Sequence, residues 1–235
     1  MIAQTGSSCP LSVKRAMIEW FGPVFREAYG ATESGIISYI TSEEWVAHPG
    51  SVGRVKHPFI PLVLDEDGSP CAAGQDGVLY FRDETGRGVR YYHDPEKTAA
   101  AHRAPGTFTL GDVGHLDPEG YLYVTGRITD MVISGGVNIY PAECEQVLVA
   151  HPGVQDVALF GVPDGEMGER LVGLVCLSDE RCSVTDLIAF CRQFIAGYKV
   201  PRQLLSVPEI PRTPMGKLDR DALRDVFLRA SPGAP

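Results

Sequence analysis

The apolar positions Val13, Ala16, Met17, Trp20 and Phe21 recur at helical spacing. They predict a helix that Pro10 opens at its first position and Gly22 stops. Val24 to Tyr29 reads as a strand ending at Gly30, and a second strand, Ile36 to Ile40, follows quickly. From about residue 50 to 128 the pattern turns to short strands and tight turns. Leu62-Val63-Leu64 runs into the turn Asp65-Glu66-Asp67-Gly68, and Val78 to Arg82 is another strand. Asp94-Pro95-Glu96 opens a helix with Asp94 as its cap. Phe108 to Leu116 and Tyr121 to Arg127 flank Asp117-Pro118-Glu119-Gly120, which is a hairpin signal. This stretch is expected to be a small antiparallel β-unit.

After residue 130 helices alternate with strands. Pro141 starts a helix to about Ala150, and strands follow near Val154 to Gly161 and Leu171 to Leu177. Ser183 caps a second helix with the apolar stripe Leu187, Ile188, Cys191, Phe194 and Ile195. Leu204 to Val207 reads as a strand and Leu218 to Leu228 as a last helix. That is an α/β unit of about 100 residues, the size of a domain. The boundary is expected near Arg127 to Met131.

Composition narrows the class. A chain of 235 residues with 44% hydrophobic and 22% charged side chains has an ordinary globular composition and not that of a disordered chain. Thirty acidic against 21 basic side chains leave a net charge of −9, which argues against nucleic acid as the main partner. Small anionic ligands stay open, since they need only a few local cations. No apolar run approaches the roughly 18–20 residues of a membrane span, and the longest clear one is Leu171 to Leu177. The first 25 residues carry no basic segment followed by an apolar one, so no signal peptide is expected. Six cysteines form no C-x-x-C pair and no zinc spacing. They read as buried thiols in a reducing compartment, with the cytoplasm as the default.

Four clusters could carry chemistry. Tyr29-Gly30-Ala31-Thr32-Glu33 puts a hydroxyl and a metal-seeking carboxylate at the end of a strand, where ligands gather in open α/β sheets. The plain alternative is a turn in which Thr32 caps the next segment. Leu110-Gly111-Asp112-Val113-Gly114 flanks a carboxylate with glycines; it could accept two hydrogen bonds from a vicinal diol, or be a β-bulge with a turn-stabilising Asp. The run from Gly126 through Arg127, Thr129, Gly135 and Gly136 to Pro141 crosses the expected boundary. Its Gly-Gly pair allows backbone to approach a ligand closely, and a flexible linker is the alternative. Pro211-Arg212-Thr213-Pro214-Met215-Gly216-Lys217 holds a lysine on a rigid loop before a helix. Such a lysine is usually solvated, unless the loop folds over an anion.

In this order and at these separations, the four clusters resemble the adenylate-forming (AMP-binding) superfamily, which contains acyl- and aryl-CoA synthetases, peptide-synthetase adenylation domains and luciferases. The resemblance covers nearly the whole chain and includes Cys9 to Pro23 and Tyr92-His93-Asp94-Pro95-Glu96-Lys97-Thr98. It implies an α/β (α+β) fold. Residues 1–128 would be the C-terminal part of a large AMP-binding domain, the end of a larger mixed sheet plus a small antiparallel β-subdomain from about residue 50. Residues 129–235 would be a small α/β C-terminal lid domain. The implied reaction has two steps. A carboxylic acid attacks the α-phosphate of ATP; the small domain then rotates, and the thiol of coenzyme A attacks the acyl-adenylate. The implied roles are Tyr29 and Gly30 against the nucleotide, Thr32 on the α-phosphate and Glu33 on Mg²⁺. Asp112 with Arg127 would take the ribose, Thr129 the hinge, and Gly135 and Gly136 the thioester step. Lys217 would stabilise charge growing on the bridging and leaving oxygens. The run Ser134 to Pro141 looks like that of CoA ligases, which favours CoA over a carrier protein as acceptor.

The chain departs from the family pattern in three places. Val78 follows Gly77 where many members carry Glu, and Thr129 stands where many carry Asp or Lys. No Ser/Thr/Gly-rich phosphate loop ending in Lys precedes Tyr29, and Gly6-Ser7-Ser8 is too short for one. The isolated chain is therefore expected to be inactive. It would work with a separate N-terminal half, or self-associate through the open sheet edge of its first 40 residues. The alternatives are a non-catalytic nucleotide- or CoA-binding module, a subunit completing another chain, or an adenylation domain loading a carrier protein.

Overall fold

The computed structural model describes residues 1–7, 9–179, 181–214 and 216–231. Ser8 of the early Gly-Ser-Ser and Met215 of the lysine loop lie outside these residues. The chain divides into two compact units, Met1–Thr129 and Asp130–Pro235. No helix among the described residues is long and apolar enough to cross a membrane.

The first unit runs β1 (Ile2–Gln4), α1 (Leu11–Phe21), β2 (Phe25–Ala31), β3 (Gly35–Thr41), α2 (Ser42–Ala47), β4 (Ser51–Val55), β5 (Phe59–Leu64) and β6 (Gly77–Asp83). It continues through α3 (Pro95–Ala100), β7 (His102–Ala104), β8 (Thr107–Leu116) and β9 (Leu122–Arg127). One mixed sheet orders these strands β1-β2-β3-β4-β9-β8-β6-β5, with β7 on β8. β1 lies parallel to β2, and the other ladders are antiparallel. β4 joins the two halves, pairing β3 through Ser38↔Val55 and β9 through Ser51↔Tyr123. Ile37, Leu79, Phe81, Phe108 and Leu122 form the core beneath the β-subdomain.

Two local features differ from the pattern. Pro10 caps α1 instead of opening it, because its ψ of 137° is extended and the helical turn begins at Leu11. Helix α2 has too few apolar positions for periodicity to reveal it. Its signal is a capping box: Thr41 Oγ1 accepts from Glu44 N at 3.3 Å, and Glu44 Oε2 accepts from Thr41 N at 3.0 Å. The Asp94 cap is present, its side chain accepting from Lys97 N at 2.9 Å.

Helix α1 inverts its apolar pattern. The residue it buries is Lys14, which pairs with Glu27 of β2 and lies 5.0 Å from the centre of the Trp45 ring. Leu11, Val13, Trp20 and Phe21 point away and are exposed.

The second unit contains β10 (Val132–Ser134), β11 (Val137–Ile139), α4 (Pro141–Val149), β12 (Val154–Asp164), β13 (Gly168–Leu177), α5 (Val184–Cys191), β14 (Gln203–Ser206) and α6 (Arg220–Ala230). Its sheet runs β11-β10-β13-β12, with β14 parallel to β13. Successive residues of a strand face opposite sides. Val157, Leu159, Leu171 and Val175 therefore meet Cys144, Leu148, Leu187 and Cys191 on one face. Ala158, Phe160, Val162, Val172 and Leu174 meet Leu223 and Phe227 on the other. A strand buried on both faces reads as a continuous apolar run, which is why β12 and β13 stand out in the sequence.

Helix α5 opens on the Ser183–Asp186 capping box and ends at Cys191, so Phe194 and Ile195 fall beyond it. Ile195 still packs on the core, whereas Phe194 is exposed. Helix α6 starts at Arg220, since Asp219 accepts from Ala222 N at 3.1 Å and sets the cap. All six cysteines are free; Cys144, Cys176 and Cys191 are buried, whereas Cys9, Cys71 and Cys182 are only half-buried.

Candidate functional site

In the first unit the chemistry collects where β2 and β9 end, beside the middle of β8. The ladder between β2 and β3 is irregular at Tyr29/Gly30, and a Cβ on Gly30 would collide with the carbonyl oxygen of Gly35. Only glycine lets the two backbones close there. Ser34 secures the adjoining turn, its Oγ accepting from Ala31 N at 3.0 Å and donating to Gly35 O at 3.0 Å. Capping thus belongs to Ser34 and not to Thr32, which is exposed.

Asp112 lies opposite Arg127 across the β8–β9 ladder. Its carboxylate takes Nε–H of Arg127 at 2.9 Å on Oδ1 and the hydroxyl of Tyr29 at 2.7 Å on Oδ2. The Asp112 side chain is 5% exposed, the Arg127 side chain 59%. Burial first, then the neighbouring carboxylate, push the Tyr29 hydroxyl well up, so it stays a donor. An ionised carboxylate offers about four acceptor positions. Two of those on Asp112 remain for a further pair of donors.

Beside this group, the Glu33 carboxylate faces the Tyr91 hydroxyl. Burial and then that carboxylate raise Tyr91, and the charge of Arg127 acts on both tyrosines in the opposite direction. Tyr91 is held by Thr98, whose Oγ1 accepts from Tyr91 N at 3.0 Å, and the Lys97 ammonium sits 4.1 Å from its ring centre. Sequence reasoning missed Tyr91. Its signal was adjacency to the Tyr92 to Thr98 segment, whose cap fixes the backbone on which Tyr91 rests.

Glu33 is half-buried, and no group of three or more His, Cys, Asp or Glu among the described residues could hold a metal. A lone carboxylate fits Mg²⁺, which keeps several waters and is held by one or two carboxylates together with phosphate oxygens.

In the second unit, Gly135 and Gly136 form the turn between β10 and β11 with φ of 58° and 78°. Open space surrounds the Cβ position of Gly136, whereas a Cβ on Gly135 would press on the Met167 side chain. The turn is tied to the β12–β13 hairpin by Gly135 N to Met167 O at 2.9 Å and Ile133 N to Glu169 Oε2 at 2.9 Å. Lys217 is exposed at the end of a closed loop, in which Thr213 N donates to Lys217 O at 2.7 Å and Gly216 N to Thr213 O at 2.8 Å. Arg212 anchors the loop, donating to both carboxylate oxygens of Asp156 at 3.0 and 2.8 Å and to Gly216 O at 3.1 Å. Thr129 lies in the 3-10 turn Ile128–Asp130.

The structure therefore gathers Tyr29, Asp112 and Arg127, and beside them Glu33 with Tyr91, in one unit. Gly135, Gly136 and Lys217 belong to the other.

Two family profiles match the chain: AMP-binding enzyme over residues 1–89, and AMP-binding enzyme C-terminal domain over residues 143–217. A long-chain-fatty-acid–CoA ligase, FadD13 of Mycobacterium tuberculosis, is 35% identical over 207 residues, covering 88% of this chain and 41% of that protein. A 2-succinylbenzoate–CoA ligase of Bacillus velezensis is 36% identical, covering 87% of this chain and 41% of that protein. Among solved structures, the amide bond synthetase McbA of Marinactinospora thermotolerans superposes with a TM-score of 0.86 at 31% identity, over 96% of this chain and 46% of that one. The o-succinylbenzoate CoA synthetase MenE of Bacillus subtilis, in complex with its acyl-adenylate intermediate, matches with a TM-score of 0.83 at 29% identity, over 100% and 46%. The chain thus spans less than half the length of these relatives.

Proposed function

The chain belongs to the adenylate-forming AMP-binding family, and from that premise we propose that it carries the nucleotide-binding and acyl-transfer elements of an ATP-dependent carboxylate–CoA ligase. The observation that carries this reading is the buried Asp112 carboxylate, fixed by Tyr29 and Arg127 with acceptor positions to spare. A vicinal diol such as ribose supplies two donors for those positions. Tyr29 and Gly30 would then border the adenine, and Arg127 would add a positive charge beside the nucleotide. The exposed Thr32 hydroxyl would meet the α-phosphate. Glu33, oriented by Tyr91, would hold Mg²⁺, which when bound offsets phosphate charge.

Lys217, on the loop that Arg212 holds closed, would reach the same phosphate when the second unit turns about Thr129. Its ammonium would stabilise charge developing as the carboxylate displaces pyrophosphate. Removing one such preorganised contact typically costs ~10²–10³ in rate. In the second step Gly135 and Gly136 would pass the pantetheine arm of CoA, using the open space beside Gly136. An amine in place of CoA as acyl acceptor is a second reading, favoured by the likeness to an amide bond synthetase. The compartment we propose is the cytoplasm, and the substrate a carboxylic acid.

The test is carboxylate-dependent ATP–pyrophosphate exchange. The chain by itself is expected to give none. Adding a polypeptide that supplies the part of the relatives' length it does not span is expected to restore exchange, and Lys217→Ala to abolish it. Exchange that survives Lys217→Ala would remove the assigned role. No exchange in the complemented system, with AMP still bound, would favour a non-catalytic nucleotide-binding module. CoA or a primary amine added to the active system, with the thioester and amide products measured, then separates the two acceptor readings.

A further inference from the structure

Helices α4 and α5 share one face of the sheet in the second unit, and two thiols meet between them. Cys144 of α4 is 1% exposed and Cys191, the last residue of α5, is 0% exposed. The Cys144 thiol donates to the sulfur of Cys191 across 3.7 Å. A buried cysteine by itself is usually a small apolar filler. Two in direct contact, 47 positions apart in sequence, differ because each reactive partner is already in place. We propose that Cys144 and Cys191 form an oxidisable dithiol, a modification site at which a peroxide closes a reversible disulfide between α4 and α5.

The chemistry balances with hydrogen peroxide as the oxidant. The Cys191 sulfur attacks one peroxide oxygen, the O–O bond breaks, and the departing hydroxide takes up the thiol proton to leave as water. The Cys144 sulfur then attacks the resulting sulfenic sulfur, the S–O bond breaks, and a second water leaves with the Cys144 proton. Two thiols lose two electrons in all, and one peroxide becomes two waters. The order of attack follows from the hydrogen bond. Donation from Cys144 lowers the pKa of Cys191 and raises that of Cys144, and the thiolate is the nucleophile.

Access comes through the end of α5. This helix has eight residues, and just beyond it Phe194 is 62% exposed, so fraying there uncovers Cys191 without unfolding the sheet. A competing thiol on the same core is Cys182, half-buried ahead of α5 with its sulfur 4.0 Å from Nδ1 of His151. Cys176 faces the opposite side of the sheet, beneath α6. The clamp would fix α4, which follows β11.

The full chain is treated with hydrogen peroxide under native conditions, alkylated, and peptide-mapped without reduction. The expected product joins the Cys144 and Cys191 peptides, is lost on reduction with dithiothreitol, and is absent from Cys144→Ala and Cys191→Ala. In Cys144→Ala, a sulfenic acid trapped by dimedone is expected at Cys191. Because those variants could misfold, the same treatment is applied to a chain with Cys9, Cys71 and Cys182 replaced by serine. There peroxide is expected to consume Cys144 and Cys191 and to spare Cys176. A Cys182–Cys191 link, sulfinic acid at either residue without a crosslink, or Cys144 and Cys191 both still alkylated in folded protein would overturn the proposal.

Discussion

Helices α1 and α6 are both eleven residues long and both amphipathic, and they end in opposite situations. Helix α6 lays Leu223 and Phe227 on the sheet of the second unit, both 0% exposed. Helix α1 rests on its own sheet through Lys14 and the half-buried Ile18, while Trp20 is 85% and Phe21 53% exposed. An apolar stripe states that a face will be covered, but not by what. In the second unit the cover is local. In the first, the described residues leave the α1 face and the outer edge of β1 open. A parallel ladder such as β1–β2 normally lies inside an α/β sheet with both faces covered.

The sharpest way to break this comparison is to truncate one aromatic on each helix. Phe227→Ala is expected to cost about 3–5 kcal/mol, the usual range for a buried aromatic. Trp20→Ala should change stability by no more than about 0.5 kcal/mol, as at an ordinary surface position. Both tryptophans, Trp20 and Trp45, belong to the first unit, so indole fluorescence follows only that unit. The Phe227 variant is therefore read by thermal unfolding in circular dichroism. A Trp20→Ala loss as large as that of Phe227→Ala would mean that the α1 face is already covered by this chain.

The Lys14–Glu27 pair sharpens it next. Lys14→Ala strands the Glu27 carboxylate in a buried position, and breaking such a pair costs about 3–5 kcal/mol. Replacing both residues by methionine is expected to be close to neutral, since no charge is then left unpaired. Urea midpoints followed by Trp45 fluorescence separate the outcomes; equal losses in the single and double variants would show that the pair contributes through packing alone.

The smallest effect tests the second unit from inside. Burial raises the pKa of Glu145 from 4.5 to about 7, opposed by a hydrogen bond from Leu159 N and by the charge of Arg220. The folded state thus holds this proton more tightly than the unfolded one. The stability that Glu145 contributes is fully present below pH ~4.5 and is lost as the pH rises through about 7, roughly 3 kcal/mol in total. Glu145→Gln keeps the acceptor for Leu159 N and removes the titration, so it should flatten the decline in the second unit's stability between pH 5 and 8. An unchanged slope in that variant would assign the pH dependence elsewhere.

Much of the fold was legible along the chain, and the reasons differ by element. The Asp94 and Ser183 caps depend on a side chain reaching a backbone N–H group three residues away. The Asp117 to Gly120 hairpin and the continuous apolar run of β12 depend on neighbours equally near. Helix α2 was not read from the sequence: its signal lies in Thr41 and Glu44, and periodicity carries no trace of so short a helix. The candidate site is another matter. Asp112 and Thr32 each allowed a turn or bulge explanation on spacing alone. It took the β8–β9 register to set Asp112 against Arg127, and a contact across 83 positions to bring Tyr29 to the same carboxylate.

What the sequence determined by itself was most of the longer elements, the change of pattern near residue 130, and the residue types able to bind a nucleotide. The tertiary structure alone decided which groups meet: Tyr91 with Glu33, Lys14 with Glu27, Cys144 with Cys191. Local signals arise from hydrogen bonds between residues a few positions apart, which composition and spacing encode directly. Pairings over long separations depend on sheet register and helix packing, where a shift of one residue turns every side chain to the other face.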